Sequence, residues 1–151
     1  MGFCIWNRNI DNNTFDDKKK FKVQFRPFQL LSDDYFKEMY LSDIEKKWNL
    51  DLSAMSGNNT STKRFDFVVK TANTIYLIET NFYTAGGSKL NEVARSYSDI
   101  APKINSVPGF EFVWITDGIG WKSARNKLQE AYNIIPRIYN LTDIDSFIEL
   151  L

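Results

Sequence analysis

Residues 64 to 83, RFDFVVKTANTIYLIETNFY, decide the fold of this chain. Two runs rich in β-branched and aromatic residues flank Ala72-Asn73, a candidate two-residue turn, and this pattern predicts a β-hairpin. A hairpin with that turn places Asp66 directly opposite Glu79. Facing side chains on neighbouring strands have Cβ atoms about 4.5 to 5.5 Å apart, so the two carboxylates are expected to lie side by side.

Side-chain alternation divides the hairpin between two faces. It assigns the polar side chains Asp66, Glu79 and Asn81 to one face. The other face receives a set of large apolar side chains: Phe65, Phe67, Tyr76, Ile78 and Phe82. Two adjacent carboxylates repel each other unless a cation lies between them, and a divalent ion with oxygen ligands is the usual partner. The hairpin therefore predicts a metal site at Asp66 and Glu79, with two acids on a solvated sheet face as the open alternative.

The chain after the hairpin predicts alternating helices and strands. Ser88 is a suitable N-cap for a helix that Pro102 should end or kink. Residues 110 to 116 (FEFVWIT) are almost continuously apolar, as expected of a central strand covered on both faces. The remaining predicted elements are a helix over residues 122–133, a strand over residues 137–141 and a closing helix capped by Thr142.

The chain before the hairpin is less regular. Ser32 is predicted to cap a helix whose apolar side chains recur at helical spacing: Tyr35, Phe36, Met39, Tyr40, Ile44 and Trp48. Residues 1–31 read as an irregular segment with at most one edge strand, and residues 56–62 (SGNNTST) as a loop. We therefore expect an α/β protein with an N-terminal segment over residues 1–31 and a single domain over residues 32–151. The expected order is helix, hairpin, helix, strand, helix, strand, helix.

Composition excludes several kinds of chemistry. With 151 residues, 43% of them hydrophobic, the chain suits one globular domain. It contains no His, which excludes Ser/His/Asp triads, Cys/His dyads and His-ligated metals. The single Cys4 forms no internal disulfide, and no stretch resembles a signal peptide or a membrane span, so a cytoplasmic location is expected. Because 19 basic residues balance 19 acidic ones, any DNA-binding surface must be a local basic patch.

Two further places are candidates for contact with phosphate. Lys89 follows the Gly86-Gly87 break in the first turn of a predicted helix, where a cation opposes the helix dipole. This lysine could polarise a phosphoryl oxygen, although an ordinary solvated helix lysine is the alternative. The second candidate is a basic patch after a glycine-containing loop, made of Lys122, Arg125, Asn126 and Lys127. Such side chains suit phosphate binding and base reading, but a merely solvated basic face fits as well, and Trp121 is assigned to the core.

The residues from the hairpin onward resemble a known family. An Asp on one strand and an acidic triplet on the next, followed by helix, strand, helix and strand, is similar to the PD-(D/E)xK nuclease fold. More specifically, three stretches of the chain resemble the DpnII/MboI family of type II restriction endonucleases. They are KRFDFVVKTANTIYLIETNFYTAGGSKLNEVARSY, FEFVWITDGIGWKSARNKLQEAY and IYNL. The resemblance runs from about Tyr35 to the end of the chain. It implies a PD-(D/E)xK restriction-endonuclease-like core, a central mixed sheet flanked by helices, and Mg²⁺-dependent cleavage of double-stranded DNA at GATC by a homodimer.

The resemblance also implies roles for individual residues. Asp66 and Glu79 match the metal ligands of the motif, whereas Asn81 stands where the superfamily usually has Lys. Because an amide neither acts as a base nor carries positive charge, Lys89 is the predicted substitute. The acid that an early helix often contributes would be Glu38 or Glu45.

Two alternatives to an active endonuclease remain at this point. Family members are longer, with a further region before the matching segment, so the chain could be a truncated, catalytically inactive remnant. Such a remnant would act as a DNA-binding or dimerisation module. The other alternative is an α/β domain of unrelated role whose acids are surface residues.

Overall fold

The computed structural model describes residues 35 to 55 and 62 to 151. The predicted irregular segment over residues 1–31 and most of the predicted loop over residues 56–62 lie outside the described residues. The strands are β1 (Tyr35–Tyr40), β2 (Arg64–Lys70), β3 (Ile75–Phe82), β4 (Phe110–Asp117) and β5 (Ile138–Tyr139). The helices are α1 (Leu41–Trp48), α2 (Ser88–Asn105), α3 (Arg125–Ile134) and α4 (Ile144–Ile148), with a 3-10 helix over Ile119–Ala124. None of the helices in the described ranges is both long and apolar enough to cross a membrane.

The five strands form one mixed sheet in the order β1-β2-β3-β4-β5. Strands β1, β2 and β3 pair antiparallel, whereas β3, β4 and β5 pair parallel. The hairpin register is confirmed, because Phe67 pairs with Ile78 and Lys70 with Ile75 around a turn closed by the Thr71 amide, which donates to the Thr74 carbonyl at 2.8 Å. The predicted class, α/β with a central mixed sheet flanked by helices, is therefore confirmed.

The prediction of one helix from Ser32 to Trp48 is wrong for the first described residues, Tyr35–Tyr40. Residues Tyr35–Tyr40 form the edge strand β1, which pairs antiparallel with β2, and only Leu41–Trp48 is helical. The apolar pairs in this stretch fit a helical period as well as a half-buried strand, so periodicity alone could not separate the two. Pairing with the exposed edge of the hairpin decides the outcome, and the described element order begins with a strand.

Alternation in β1 and β2 breaks at one facing pair, Glu38 and Asp66. Glu38 has a positive φ of 54°, a left-handed conformation that is uncommon for a side chain of this type. Phe65 lies in the core on the α2 side of the sheet, although Phe67 lies in the core on the opposite side. The prediction that both share a face is therefore wrong, because the distorted pair shifts which side of the sheet the residues before Asp66 face.

Two hydrophobic cores cover the sheet. The larger core lies between the sheet and helices α1, α2 and α3 and includes Leu77, Trp114 and Trp121. The smaller core lies on the other face, where Phe147 of α4 packs against the apolar side chains of β3 and β4. The prediction that residues 110–116 form a strand covered on both faces is confirmed, since Phe112, Val113, Trp114 and Ile115 have no exposed surface.

Several predicted boundaries shift. Helix α2 takes Gly87 rather than Ser88 as its N-cap and runs on through Pro102 to Asn105. A proline inside a helix removes one amide hydrogen bond. The last turn of α2 forms nevertheless, and its Ile104 packs in the larger core. The helix predicted from residue 122 begins at Arg125 after the 3-10 helix. The last strand contains only Ile138–Tyr139, and α4 is capped at Asp143 instead of Thr142.

Candidate active site

Glu79 is a buried carboxylate in the middle of the protein. Only 5% of its surface is exposed, so the alternative of a solvated acid is wrong for this residue. The Tyr97 hydroxyl of α2 donates a hydrogen bond to Glu79 Oε2 at 3.2 Å. Lys63 Nζ lies 2.5 Å from Oε1 as an ion pair, yet within the described part of the chain Oε1 accepts no hydrogen bond of good geometry. One oxygen of the buried Glu79 carboxylate thus has the Lys63 ammonium beside it, but that oxygen accepts no hydrogen bond of good geometry from the described residues.

The environment of Glu79 opposes its ionisation. Burial raises the pKa of Glu79 to about 7, because a charged carboxylate loses its hydration in the interior. The Lys63 ammonium pulls this pKa down and the Asp66 carboxylate pushes it up. Burial is the largest of these influences, so the protonated form of Glu79 is favoured.

Asp66 lies in β2 at the point where alternation breaks. Its Oδ2 accepts hydrogen bonds from the Thr80 amide at 2.9 Å and the Thr80 hydroxyl at 2.8 Å. Thr80 follows Glu79 in β3, so Asp66 is tied to the strand that carries the buried acid. Because side chains alternate along β3, this bond draws Oδ2 toward the Thr80 side of the sheet rather than toward Glu79. The sequence therefore predicted the neighbourhood of Asp66 but not its hydrogen-bond partner.

Asn81 lies two residues after Glu79 in β3 and accepts a hydrogen bond from the neighbouring strand. The Trp114 indole of β4 donates to Asn81 Oδ1 at 2.7 Å. Burial raises the pKa of the Tyr97 hydroxyl, the Glu79 charge raises it further, and the Asn81 side chain lowers it. The residue at the usual lysine position is therefore held by a buried tryptophan close to the tyrosine that donates to Glu79.

Lys63 is the residue that the sequence reasoning missed. It precedes β2 by one residue, and its ammonium lies 5.0 Å from the centre of the Tyr97 ring as well as beside Glu79. Its position three residues before Asp66 is one signal that points to it, since a lysine close in sequence to an acidic strand residue is a candidate ion-pair partner. No local pattern, however, states which acid a flexible lysine reaches.

The other predicted acid and base candidates are exposed or have other partners. Lys89 is exposed in the first turn of α2, and in the described residues it makes no ion pair with a carboxylate. Glu38 lies in a strand, not a helix, and is 3.7 Å from Arg64 in an exposed ion pair. Glu45 lies in α1, and its Oε1 accepts a hydrogen bond from the Leu52 amide at 3.0 Å. Over the described ranges, three or more acidic or thiol side chains do not come together as a ready metal cluster.

The predicted basic patch is exposed at the start of α3. Lys122 lies in the 3-10 helix, and Arg125, Asn126 and Lys127 begin α3. Lys127 forms an exposed ion pair with Glu130 at 2.7 Å. The predicted core position of Trp121 is confirmed, because it is fully buried and its indole donates to Thr116 Oγ1 at 2.8 Å.

Close backbone packing fixes the basic patch next to the strand that carries Glu79. The Gly120 amide donates to the carbonyl of Tyr83, the residue that follows β3, at 2.9 Å. A Cβ at Gly120 would lie 2.4 Å from the Ala85 carbonyl oxygen, and a Cβ at Gly118 would lie 2.1 Å from that of Tyr83. Only glycine permits so close an approach of two loops. The loop that precedes the basic patch therefore packs against the segment that follows β3.

The mixed sheet flanked by helices, with a buried acid on a central strand, is consistent with a restriction-endonuclease-like core. Comparison with known proteins then identifies the family. The model of the DpnII restriction endonuclease family matches residues 13–149, and the chain belongs to this family.

Several curated relatives are similar to the chain. The type II restriction enzyme MboI of Moraxella bovis is 65% identical over 112 residues, which is 74% of the chain and 39% of that enzyme. The type II restriction enzyme DpnII of Streptococcus pneumoniae is 47% identical over 116 residues, which is 77% of the chain and 40% of that enzyme. The chain thus spans about two fifths of the length of these relatives. No solved structure matches it.

Proposed function

We propose that the chain is part of a type II restriction endonuclease that hydrolyses phosphodiester bonds of double-stranded DNA at GATC. The observation that carries this proposal is the buried acid Glu79, which faces a lysine on one side and a tyrosine on the other within a chain of the DpnII family. The GATC site follows from the family resemblance in the sequence. A cytoplasmic homodimer is part of the proposal, because a two-fold symmetric protein reads a palindromic site most simply.

A divalent metal ion, with Mg²⁺ as the specific candidate, fits the acids of the hairpin. Glu79 Oε1 is buried beside a cation and lacks a directed hydrogen bond, and the Asp66 charge raises the pKa of Glu79. Hard cations such as Mg²⁺ prefer oxygen ligands, so Asp66 and Glu79 are the residues that would hold the ion. Such an ion would supply a more acidic water and withdraw charge from a phosphoryl oxygen.

The remaining residues of the site prepare the acids and the substrate. Tyr97 donates to one oxygen of Glu79 and so helps to orient the carboxylate. Asn81, which the Trp114 indole holds two residues further along β3, is a positioning residue in this proposal. Lys89 is exposed at the start of α2. We propose that it approaches a phosphate of bound DNA, which is the role that the sequence predicted for it. Positive charge near the scissile phosphate stabilises the negative charge that develops there.

The direct test is cleavage of a plasmid that contains GATC sites. We expect cutting of unmethylated DNA in the presence of Mg²⁺ and none with a chelator. In Asp66→Ala we expect cutting to fall by about 10³-fold, because metal-ion stabilisation of the developing charge is worth several kcal/mol and each 1.4 kcal/mol is about a factor of ten.

The control is Asp99→Ala, which removes an exposed acid of α2 and should cut at the normal rate. Retarded migration of GATC duplexes without metal-dependent cutting would instead support the DNA-binding remnant. Neither cutting nor retardation would support an unrelated role.

The basic patch allows a separate prediction about DNA affinity. Each phosphate contact adds about 0.9 to the slope of log affinity against log salt concentration. Removing both charges in Lys122→Ala/Arg125→Ala should therefore lower that slope by roughly 1.8 if each side chain contacts one phosphate. The slope is measured by fluorescence anisotropy with a labelled GATC duplex at several salt concentrations, in a chelator so that no cutting occurs.

Lys103→Ala is the matched control, because Lys103 is an exposed lysine in the last turn of α2, outside the patch. An unchanged slope in the double variant would remove Lys122 and Arg125 from the DNA interface.

A further inference from the structure

The Lys63 ammonium lies at the Glu79 oxygen that a metal ion would be expected to bind. Its ammonium lies 2.5 Å from Glu79 Oε1, and only 26% of its side chain is exposed. The ammonium also lies near two aromatic rings, 5.0 Å from the Tyr97 ring centre and 5.9 Å from that of Phe65. These contacts hold the lysine against the one carboxylate oxygen that lacks a directed hydrogen bond.

The pair competes with a divalent ion for the same oxygen. An ammonium and a divalent ion bound to one carboxylate oxygen would lie only a few ångströms apart, and they would repel each other in a partly buried site. Tyr97 donates to the other oxygen, Oε2. We therefore expect a divalent ion on Oε1 to displace the Lys63 ammonium.

The displaced ammonium has an obvious destination. Lys63 is on the chain that enters β2, three residues before Asp66, and its long flexible stem lets the charge move several ångströms without moving the backbone. A phosphate of bound DNA is the strongest anion that would be present at this site. The lysine that the superfamily usually has at the Asn81 position would thus be supplied from the preceding strand.

We propose that Lys63 is the lysine of this site, and that it exchanges between Glu79 and the DNA phosphate as a divalent ion binds. This proposal rests on the nuclease function proposed above. Without the ion, Lys63 neutralises the buried Glu79 carboxylate. With ion and DNA bound, the ion takes the carboxylate and Lys63 offsets the charge that develops on the phosphate.

The exchange predicts opposite effects of one substitution on two measurements. Lys63→Met removes the competing cation but also the charge that lowers the pKa of Glu79, so Mn²⁺ binding is titrated without DNA at several pH values up to 9. At the highest pH, where protons compete least, Mn²⁺ should bind about tenfold more tightly, as measured from the free Mn²⁺ signal by electron paramagnetic resonance. The same variant should cut GATC DNA at least about 10²-fold more slowly at saturating metal, because positive charge at the phosphate is lost. A purely structural lysine would not tighten metal binding when removed.

Three comparison variants sharpen the result. Lys63→Arg keeps the charge and should bind Mn²⁺ as the parent protein does, whereas Lys63→Gln repeats the charge removal with a polar side chain. Lys103→Met, which removes an exposed lysine at the far end of α2, should leave both measurements unchanged. Lys89→Met should leave Mn²⁺ affinity unchanged, since Lys89 makes no ion pair with a described carboxylate.

At the highest pH, unchanged or weaker Mn²⁺ binding in both Lys63→Met and Lys63→Gln would overturn the exchange. Cutting by Lys63→Met at the parental rate would overturn its role at the phosphate, and loss of cutting in Lys89→Met alone would assign that role to Lys89. If the parent protein does not cut GATC DNA, the nuclease function fails, and the Mn²⁺ titration still decides whether Lys63 competes for Glu79.

Discussion

Glu79→Gln is expected to make the protein more stable and the site inactive. Burial raises the pKa of Glu79 from an ordinary value of 4.5 to about 7 in the folded protein. The folded state therefore holds its proton more tightly than the unfolded state, and the parent loses stability as the pH rises from about 4.5 through about 7. A glutamine has no charge to bury, so this loss is absent in the variant.

The expected size of the effect follows from the shift. One pKa unit corresponds to about 1.4 kcal/mol, so Glu79→Gln should gain roughly 3 kcal/mol in unfolding free energy over the parent at pH 8.5. At pH 5 the two proteins should be nearly equal, because Glu79 is then protonated in the folded state. Urea unfolding at both pH values in a chelator measures the difference.

Glu130→Gln is the matched control, because Glu130 is exposed and should change stability by less than about 0.5 kcal/mol at either pH. A Glu79→Gln variant that is less stable than the parent at pH 8.5 would show that Lys63 and Tyr97 compensate the buried charge fully. Under the proposed function, cutting of GATC DNA should fall by about 10³-fold in the same variant, since a neutral amide is a poor ligand for a hard cation and metal stabilisation would be worth several kcal/mol.

Trp121→Ala is expected to be strongly destabilising in the larger core. The indole is fully buried and packs edge-on against Trp114 and Tyr83, with ring centres 5.5 and 5.4 Å away. Removing a buried tryptophan leaves a cavity and typically costs 3 to 5 kcal/mol, so we expect a loss of about 4 kcal/mol in unfolding free energy. Denaturant unfolding followed by far-ultraviolet circular dichroism measures it.

Trp121→Phe is the matched variant, because it keeps most of the packing but leaves Thr116 Oγ1 without the indole donor. We expect it to lose about 1 to 2 kcal/mol. If Trp121→Ala changed DNA affinity without lowering the unfolding free energy, the tryptophan would act as a base-stacking platform. The prediction that it stabilises the core would then be wrong.

Local pattern predicted the parts of the fold that depend on neighbours along the chain. The turn at Ala72-Asn73 and the β-rich runs beside it set the hairpin register, which the structure confirms. The apolar run from Phe110 also predicted its strand, because a short, almost continuously apolar run rich in β-branched and aromatic residues is typical of a strand covered on both faces.

Pattern failed where two structures satisfy it equally. The apolar residues Tyr35, Phe36, Met39 and Tyr40 fit a helix or a half-buried strand, and the free edge of β2 decides for a strand. The distorted pair Glu38 and Asp66 then moves Phe65 to the opposite core, an effect of pairing that alternation along one strand cannot contain.

By itself, the sequence determined the α/β class and the hairpin with its register, because a two-residue turn fixes which residues of the two strands pair. Only the tertiary structure decided how the site is charged. The packing of α2 on the sheet buries Glu79 and brings Tyr97 to one oxygen, and the path of the chain into β2 brings Lys63 to the other. Burial and long-range contact depend on elements that are distant in sequence, and local spacing cannot encode them.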